Sequence, residues 1–365
     1  MVVSKFYPPV IGGVEVTVKE LCQEYVRQGH EVTALVMTRG AREDERTEGV
    51  RVLRLPVDRL LLGGFNRAAL GYMRRELAPA NFDVVHVHNF HILLSFQSSL
   101  MCVLRSMPYV FSPHYHGKGH TALRDMLFKA YRRIGAVALR KASAITCASG
   151  FERSLLLRDF PGLQGKSVVI SPGITRRDTP EVPREKDTLL YVGRLMRYKG
   201  LDHILAGMAE LRHQGREVRL RVVGTGPDEQ RLRSLAGSMG LLGSVQFLKE
   251  LEDAALTEEY ASASCLVLLS SAEAYGLVVA EALACGLPCV VAESAALTEF
   301  TSEPGCFGVR DPSDAKEVAR VIAGVLEQGG RIKVGPFSAK ISYWPEVARR
   351  YLDLYAWILA RDGSA

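Results

Sequence analysis

From Glu31 onward the chain alternates short β-branched runs with longer stretches whose apolar residues recur every three or four positions, a pattern that predicts parallel βαβ units. The predicted strands of the first half are Glu31–Met37, Asp83–His88, Tyr109–Pro113, Ala144–Ala148 and Val168–Ser171. Those of the second half are Thr188–Val192, Val218–Val223, Val245–Leu248, Cys265–Ser270 and Pro288–Ala292. Each half therefore reads as its own doubly wound sheet. The helical signal is clearest at Leu201, Ile204, Leu205, Met208 and Leu211, whose spacing makes one apolar stripe. Between the halves, Pro172 to Asp187 carries three prolines and eight charged residues with no apolar period, so a linker begins there. The expected division is one domain over 1–171, a second over 172–343, and a segment over 344–365 whose helical pattern (Val347, Tyr351, Leu354, Ile358) can cross back to the first. The opening strand Val2-Val3-Ser4 is short against the usual five or six residues, which points to a start upstream of Met1.

Composition narrows the class. With 365 residues, 47% hydrophobic and 24% charged, the chain is of ordinary globular type with room for two cores. No uninterrupted apolar stretch approaches the roughly 18 residues that cross a bilayer, and Met1-Val2-Val3-Ser4-Lys5 lacks the charged-then-apolar pattern of a secretory leader. The seven cysteines are odd in number, and Cys147, Cys265, Cys285 and Cys289 lie inside apolar runs, as buried thiols in a reducing compartment do. A cytoplasmic location is expected. The net charge of +6 is unevenly spread: 23 basic residues stand against 14 acidic ones over 1–171, and 23 against 26 over 172–365. A basic surface for a partner therefore belongs to the first half.

Candidate chemistry gathers in the loops that follow strands. Gly12-Gly13, ahead of a helix from about Val14 to Arg27, lets backbone amides approach an anion without a Cβ in the way, although a plain tight turn reads the same. Gly193-Arg194-x4-Lys199-Gly200 follows a strand; ligands of open parallel sheets bind beyond strand carboxyl ends, and two fixed cations suit a diphosphate. Gly224-Thr225-Gly226 also ends a strand but lacks the third glycine of a dinucleotide fingerprint, which argues against a nicotinamide dehydrogenase. In the segment Ser270 to Pro288, Glu273 falls in a loop, Gly276 at a helix start, and Glu281 about a turn into the helix. A carboxylate set among Val278, Val279, Ala280, Ala282 and Leu283 is costly to bury alone, so Glu281 bonds something specific: a ribose diol or a protein group. Six of nine histidines (His86, His88, His91, His114, His116, His120) fall in one stretch. No Asp, Glu or Cys nearby completes a zinc ligand set, so no metal is expected. His114 and His116 read as polar groups facing a cleft, either catalytic or structural.

Gly12-Gly13, Gly193-Arg194-x4-Lys199-Gly200, and Glu273-x7-Glu281 followed by Gly286-Leu287-Pro288 together resemble the family 4 retaining glycosyltransferases, in order from the first loop to about Glu299. The spaced glutamate pair around Tyr275-Gly276-Leu277 is the specific part. The resemblance implies a GT-B fold: two Rossmann-like, doubly wound parallel-sheet domains facing across a cleft, with acceptor held by the first and nucleotide sugar by the second. It implies Arg194 and Lys199 on the diphosphate, Glu281 on the ribose and Glu273 on hydroxyls of the transferred sugar. Tyr275, Gly276 and Leu277 then belong to the donor site, with the Gly276 and Leu277 backbone meeting phosphate. Gly224 and Gly226 come near the base, Gly12 and Gly13 near the diphosphate, and His114 near the donor sugar. Retention and independence from metals and other cofactors follow in the same way, with charge on the departing diphosphate stabilised by Arg194, Lys199 and helix amides. Three departures stand out. Ser171-Pro172-Gly173-Ile174 takes the place of a common Asn-Gly-Val, Ser294-Ala295-Ala296 replaces a glycine-rich turn, and the opening strand is truncated, which weakens the first lobe.

The expected function is transfer of a sugar from a nucleoside-diphosphate sugar to a hydroxyl acceptor, in the assembly of a cell-surface glycan or glycolipid. The alternatives are a soluble acceptor (a sugar, polyol or natural product) and a degenerate nucleotide-sugar-binding protein, which the presence of Arg194, Lys199, Glu273 and Glu281 disfavours. No nucleic-acid partner is expected. From Arg105 to Lys141 eight basic residues stand against Asp125 alone. Leu123, Leu127, Tyr131, Ile134 and Ala138 predict one buried helical face, with Arg124, Lys129, Arg132, Arg133 and Arg140 opposite. That basic side is either a solvated back or a surface held against anionic headgroups at the inner face of a membrane.

Overall fold

The computed structural model describes residues 1–10, 12–57, 66–117, 122–178, 180, 182–329 and 341–362, with 122–130 described by backbone. These residues form two compact units, Met1–Gly173 with Ser342–Ala365, and Ile174–Ile341. Among them no helix is long and apolar enough to cross a membrane.

The first unit is built on eight strands: β1 (Val2–Val3), β2 (Thr33–Thr38), β3 (Glu43–Thr47), β4 (Val50–Pro56), β5 (Val85–His88), β6 (Tyr109–Ser112), β7 (Ala144–Cys147) and β8 (Ser167–Val169). Their order is β3-β4-β2-β1-β5-β6-β7-β8, parallel except for the β3–β4 hairpin. Short as it is, β1 lies mid-sheet, with Val2 opposite both Ala34 and His86. The predicted strand set lacks the hairpin. All five residues of β3 are exposed and none is apolar, so no alternation marks it, and its turn rests on Glu48 and Gly49, both at positive φ.

Leu35, Leu53, Val87 and Phe111 point to one face of this sheet, where they join Leu94, Leu139 and Leu156 in a core. The opposite face is covered by the helix Gly13–Arg27 and the terminal helix Trp344–Asp362, which share a second core through Val18, Leu21, Tyr25, Val347, Tyr351 and Ile358.

The helix Ala122–Lys141 departs from its expected faces. Ile134 is half exposed, as is Val137, while Ala136, Ala138 and Leu139 are buried. The reason is close packing at Gly135, where an added Cβ would stand 2.5 Å from the Phe90 ring; the helix turns its small residues inward. Arg132 does not project freely either, since it pairs with Asp159 at 3.4 Å and lies over the Phe160 ring. Lys118 and His120 lie outside the described residues, as do the side chains of Leu123, Arg124, Leu127 and Lys129.

After the two-residue strand β9 (Gly173–Ile174), the second unit carries β10 (Thr188–Val192), β11 (Arg219–Val223), β12 (Val245–Leu248), β13 (Cys265–Leu268), β14 (Cys289–Ala292) and β15 (Cys306–Val309). The last is a strand the sequence pattern does not predict. All six are parallel in the order β12-β11-β10-β13-β14-β15. Every residue of β13 and β14 is buried, as expected for strands covered on both faces. The apolar stripe of the helix Leu201–His213 is buried along its length. Chain winding runs outward in both directions from the adjacent β10 and β13, which makes their carboxyl ends the topological switch point where such sheets take ligands.

Candidate functional site

The loops after β10 and β13 meet at this switch point. Ser271 N–H donates to the Tyr198 carbonyl at 2.8 Å, and the Ser270 hydroxyl donates to the same oxygen at 3.1 Å. This tie brings Lys199 to Glu273: the ammonium donates to the carboxylate at 2.6 Å, with both side chains mostly buried. The sequence reading assigned these two residues to separate parts of a ligand; the fold makes them partners. Arg194, by contrast, is exposed, and its guanidinium has no partner among the described residues.

Gly224 and Gly226 serve packing. Leu195 N–H donates to the Thr225 carbonyl at 2.9 Å, and an added Cβ at either glycine would meet the backbone oxygen of Gly193 or Leu195 at 2.2 or 2.3 Å. The two loops thus lie back to back, which supports the backbone that carries Arg194. Gly276 caps the helix Leu277–Ala284, whose first amides have no acceptor within the helix. Tyr275 is buried with its ring 5.2 Å from that of Phe300, so its side chain belongs to the core. The Ser294-Ala295-Ala296 turn adopts a left-handed backbone despite lacking glycine, with Ala295 at φ 50°, and returns to the loop after β13 through Ala296 N–H to the Glu273 carbonyl at 3.3 Å.

Glu281 is held by protein groups. The Tyr260 hydroxyl donates to its Oε2 at 2.8 Å, and Arg177 Nη2 stands 3.6 Å from its Oε1. Burial pushes this carboxyl above its ordinary range, while Arg177 and then the Tyr260 hydrogen bond oppose that rise. Arg177 escapes sequence analysis because it sits in a charged linker whose partners come from far along the chain.

In the first unit, Gly12 caps the helix that begins at Gly13, and the Thr17 hydroxyl donates to the Gly13 carbonyl at 2.8 Å. His114, just past β6, takes a left-handed backbone (φ 47°) and shares a hydrogen bond of 3.1 Å with His88. Asn89, which sequence reasoning passed over, also has positive φ and binds the end of β1 by accepting from Ser4 Oγ and Lys5 N–H at 3.1 and 3.2 Å. Thr17 and His114 line one small cavity of about 10 Å³ with Ser112, Thr146, Pro172 and Tyr351. The turn at His114 is clamped by the buried Glu152, which accepts from the Tyr115 and Ala148 amides at 2.6 Å each.

The strand histidines enter a buried hydrogen-bond chain. His86 meets Tyr355 at 2.6 Å and Ser112 at 2.7 Å, and its ring lies 4.1 Å from that of His88. Burial pushes His86 down to about 3 and His114 to about 4, with His88 also well below its ordinary value. These imidazoles are neutral when folded and protonate near pH 6.5 when unfolded, so their contribution to stability is complete above that pH and is lost as the pH falls toward 4. Burial raises Glu152 to about 7, and its contribution has the opposite sense: it is present below about pH 4.5 and lost on rising through 7. The histidines outnumber it. The unfolding free energy should therefore fall on acidification from pH 6.5 to 4.5, and His86→Gln should flatten that slope by about 1.4 kcal/mol per pH unit, measured by denaturant unfolding. An unchanged slope would contradict the buried neutral state.

Solved structures show the same fold. Sucrose-phosphate synthase from Thermosynechococcus elongatus matches over 100% of this chain and 96% of its own, with TM-score 0.72 at 20% identity. The Anabaena protein HepE, solved with UDP and glucose, matches over 100% and 97% with TM-score 0.71 at 16% identity. The chain has the GT-B fold of glycosyltransferases. Two family models then cover nearly all of it in succession, Glycosyltransferase Family 4 over residues 11–177 and Glycosyl transferases group 1 over 175–334. The chain belongs to this glycosyltransferase family. A D-inositol 3-phosphate glycosyltransferase of Nocardioides sp. is 28% identical to it, over 94% of this chain and 85% of the relative.

Proposed function

We propose that this glycosyltransferase moves a hexose from a nucleoside-diphosphate sugar to a hydroxyl acceptor, with retention of configuration and without a metal, in glycan or glycolipid assembly. The observation that carries the reading is the Lys199–Glu273 pair beside the exposed Arg194 at the β10/β13 switch point. Arg194 and Lys199 take the diphosphate, the amides at Gly276 and Leu277 meet phosphate, and Glu273 turns from Lys199 to the sugar hydroxyls. The bond from the anomeric carbon to the diphosphate breaks while the acceptor oxygen bonds the same face, and a leaving phosphate oxygen takes the acceptor's proton. Charge building on the diphosphate is what the two cations stabilise.

A UDP-sugar is the first donor to test, as HepE was solved with UDP. The product should keep the donor's anomeric configuration by proton NMR, and activity should persist in EDTA. An inverted product would remove the retaining mechanism, and full inhibition by chelator would remove metal independence.

An anionic membrane surface is the favoured seat of the acceptor. On the helix Leu93–Leu104, Leu100, Val103 and Leu104 are exposed on one face, and on the helix Ala122–Lys141 the exposed Ile134 and Val137 are flanked by exposed Arg133, Arg140 and Lys141. Apolar side chains among cations suit a headgroup layer, at about 1 kcal/mol per basic residue near the surface. The protein should pellet with anionic but not neutral vesicles at low salt. A variant with Arg133, Arg140 and Lys141 changed to Glu should stay in solution. Equal recovery of both proteins in the supernatant would favour the second reading, a soluble acceptor, which the D-inositol 3-phosphate relative supports.

A further inference from the structure

Arg177 is a cation with an unusual setting. It comes from irregular chain just after β9, yet its side chain is only 8% exposed. Its Nη1 donates to the Thr257 hydroxyl at 3.0 Å and to the Asp253 carbonyl at 3.1 Å, and its Nη2 donates to Asp253 Oδ1 at 3.1 Å. The guanidinium lies 5.8 Å from the centre of the Tyr260 ring, and its Nε is buried without an acceptor. A guanidinium taken out of water costs several kcal/mol unless it is well paired, and here its anionic neighbours are Asp253, with a side chain 83% exposed, and the buried Glu281.

Each oxygen of Glu281 meets one protein group, Arg177 at Oε1 and the Tyr260 hydroxyl at Oε2. A carboxylate has about four acceptor positions, so both oxygens keep capacity for ligand hydroxyls, but only while the group is ionised. The charged and titratable groups that face it are Arg177 from the linker, Tyr260 and Asp253 from the helix Asp253–Ser262, and, through Tyr260, Cys285 from the end of its own helix. Arg177 is the one cation among them.

Resting on the reading that Glu281 receives the donor ribose, we propose that Arg177 is a positioning residue: it fixes the Glu281 carboxylate and keeps it charged, so that it accepts the ribose hydroxyls of the nucleoside diphosphate. Arg177 acts through Glu281 and itself touches no reacting atom. Asp253 competes for the same guanidinium.

The test is calorimetric binding of whichever of UDP, ADP and GDP most stabilises the unmodified chain, measured from pH 5.5 to 8.5. Arg177→Met should bind at least tenfold more weakly at pH 6, with the gap closing toward pH 8.5 as Glu281 ionises unaided. Arg177→Lys should recover much of the loss at pH 6. Glu281→Gln should bind weakly at every pH and gain no further defect from Arg177→Met. Asp253→Asn, at an exposed position, should carry tight binding to lower pH, and it decides the matter if Arg177→Met does not fold. An Arg177→Met defect equal at all pH values, or none, would overturn the positioning role while a weak Glu281→Gln upheld the ribose reading. An Asp253→Asn profile matching the unmodified chain would likewise overturn it. Normal binding by Glu281→Gln would overturn the ribose reading and this role with it.

Discussion

Lys199→Ala should lower transfer by on the order of 10²–10³-fold while the chain stays folded. The side chain ends in a loop rather than a core, and its ammonium is both the proposed diphosphate contact and the partner that orients Glu273 at 2.6 Å. Removing it takes one fixed positive charge from the leaving group and leaves a mostly buried carboxylate without its cation. The two effects share a cause, so Lys199→Ala and Glu273→Ala should be strongly non-additive, with the double variant little worse than the poorer single. Steady-state kinetics at saturating donor on all three variants would measure this. Normal turnover by Lys199→Ala would refute the assignment of the loop, and simple additivity would refute the coupling.

Gly200→Ala should cost on the order of 3 kcal/mol of stability. Gly200 sits at φ 73°, and an added Cβ would stand 2.1 Å from the Leu269 carbonyl oxygen, a backbone atom with no rotamer to give way. The loop after β10 would have to separate from the end of β13, which is the contact that seats Lys199 beside Glu273. Denaturant unfolding should show a lowered midpoint, and nucleotide binding should weaken alongside it. Gly215→Ala is the control. Gly215 also has positive φ, at 80°, but has open space around it, so it should lose only the backbone penalty of about 1–2 kcal/mol. Equal losses for the two would show that the approach to Leu269 is relieved at no cost.

Much of the second unit was legible in the chain because its strands are apolar without interruption. Cys265–Leu268 and Cys289–Ala292 hold no polar residue, and a short run of that kind between turn signals suits a strand covered on both faces. Leu201 to Leu211 was equally plain, since a helix on a sheet writes its buried stripe at helical spacing. The hairpin strand Glu43–Thr47 was invisible for the converse reason: it buries nothing, and backbone pairing alone leaves no mark on side-chain pattern. The helix Ala122–Lys141 misled because its packing is set by small residues, with Gly135 pressed on Phe90, and small residues weigh little in an apolar count.

The sequence by itself determined the class of fold and the loops where chemistry gathers, since strand, turn and helix signals are local and a post-strand glycine with cations or carboxylates is read within a few residues. Which groups meet was decided only by the tertiary structure. Lys199 pairs with Glu273, Glu281 with Tyr260 and Arg177, and His86 with Tyr355, because parallel strands bring loops from distant parts of the chain to one edge, and a buried charge or polar group must take its partner from whatever the fold sets beside it.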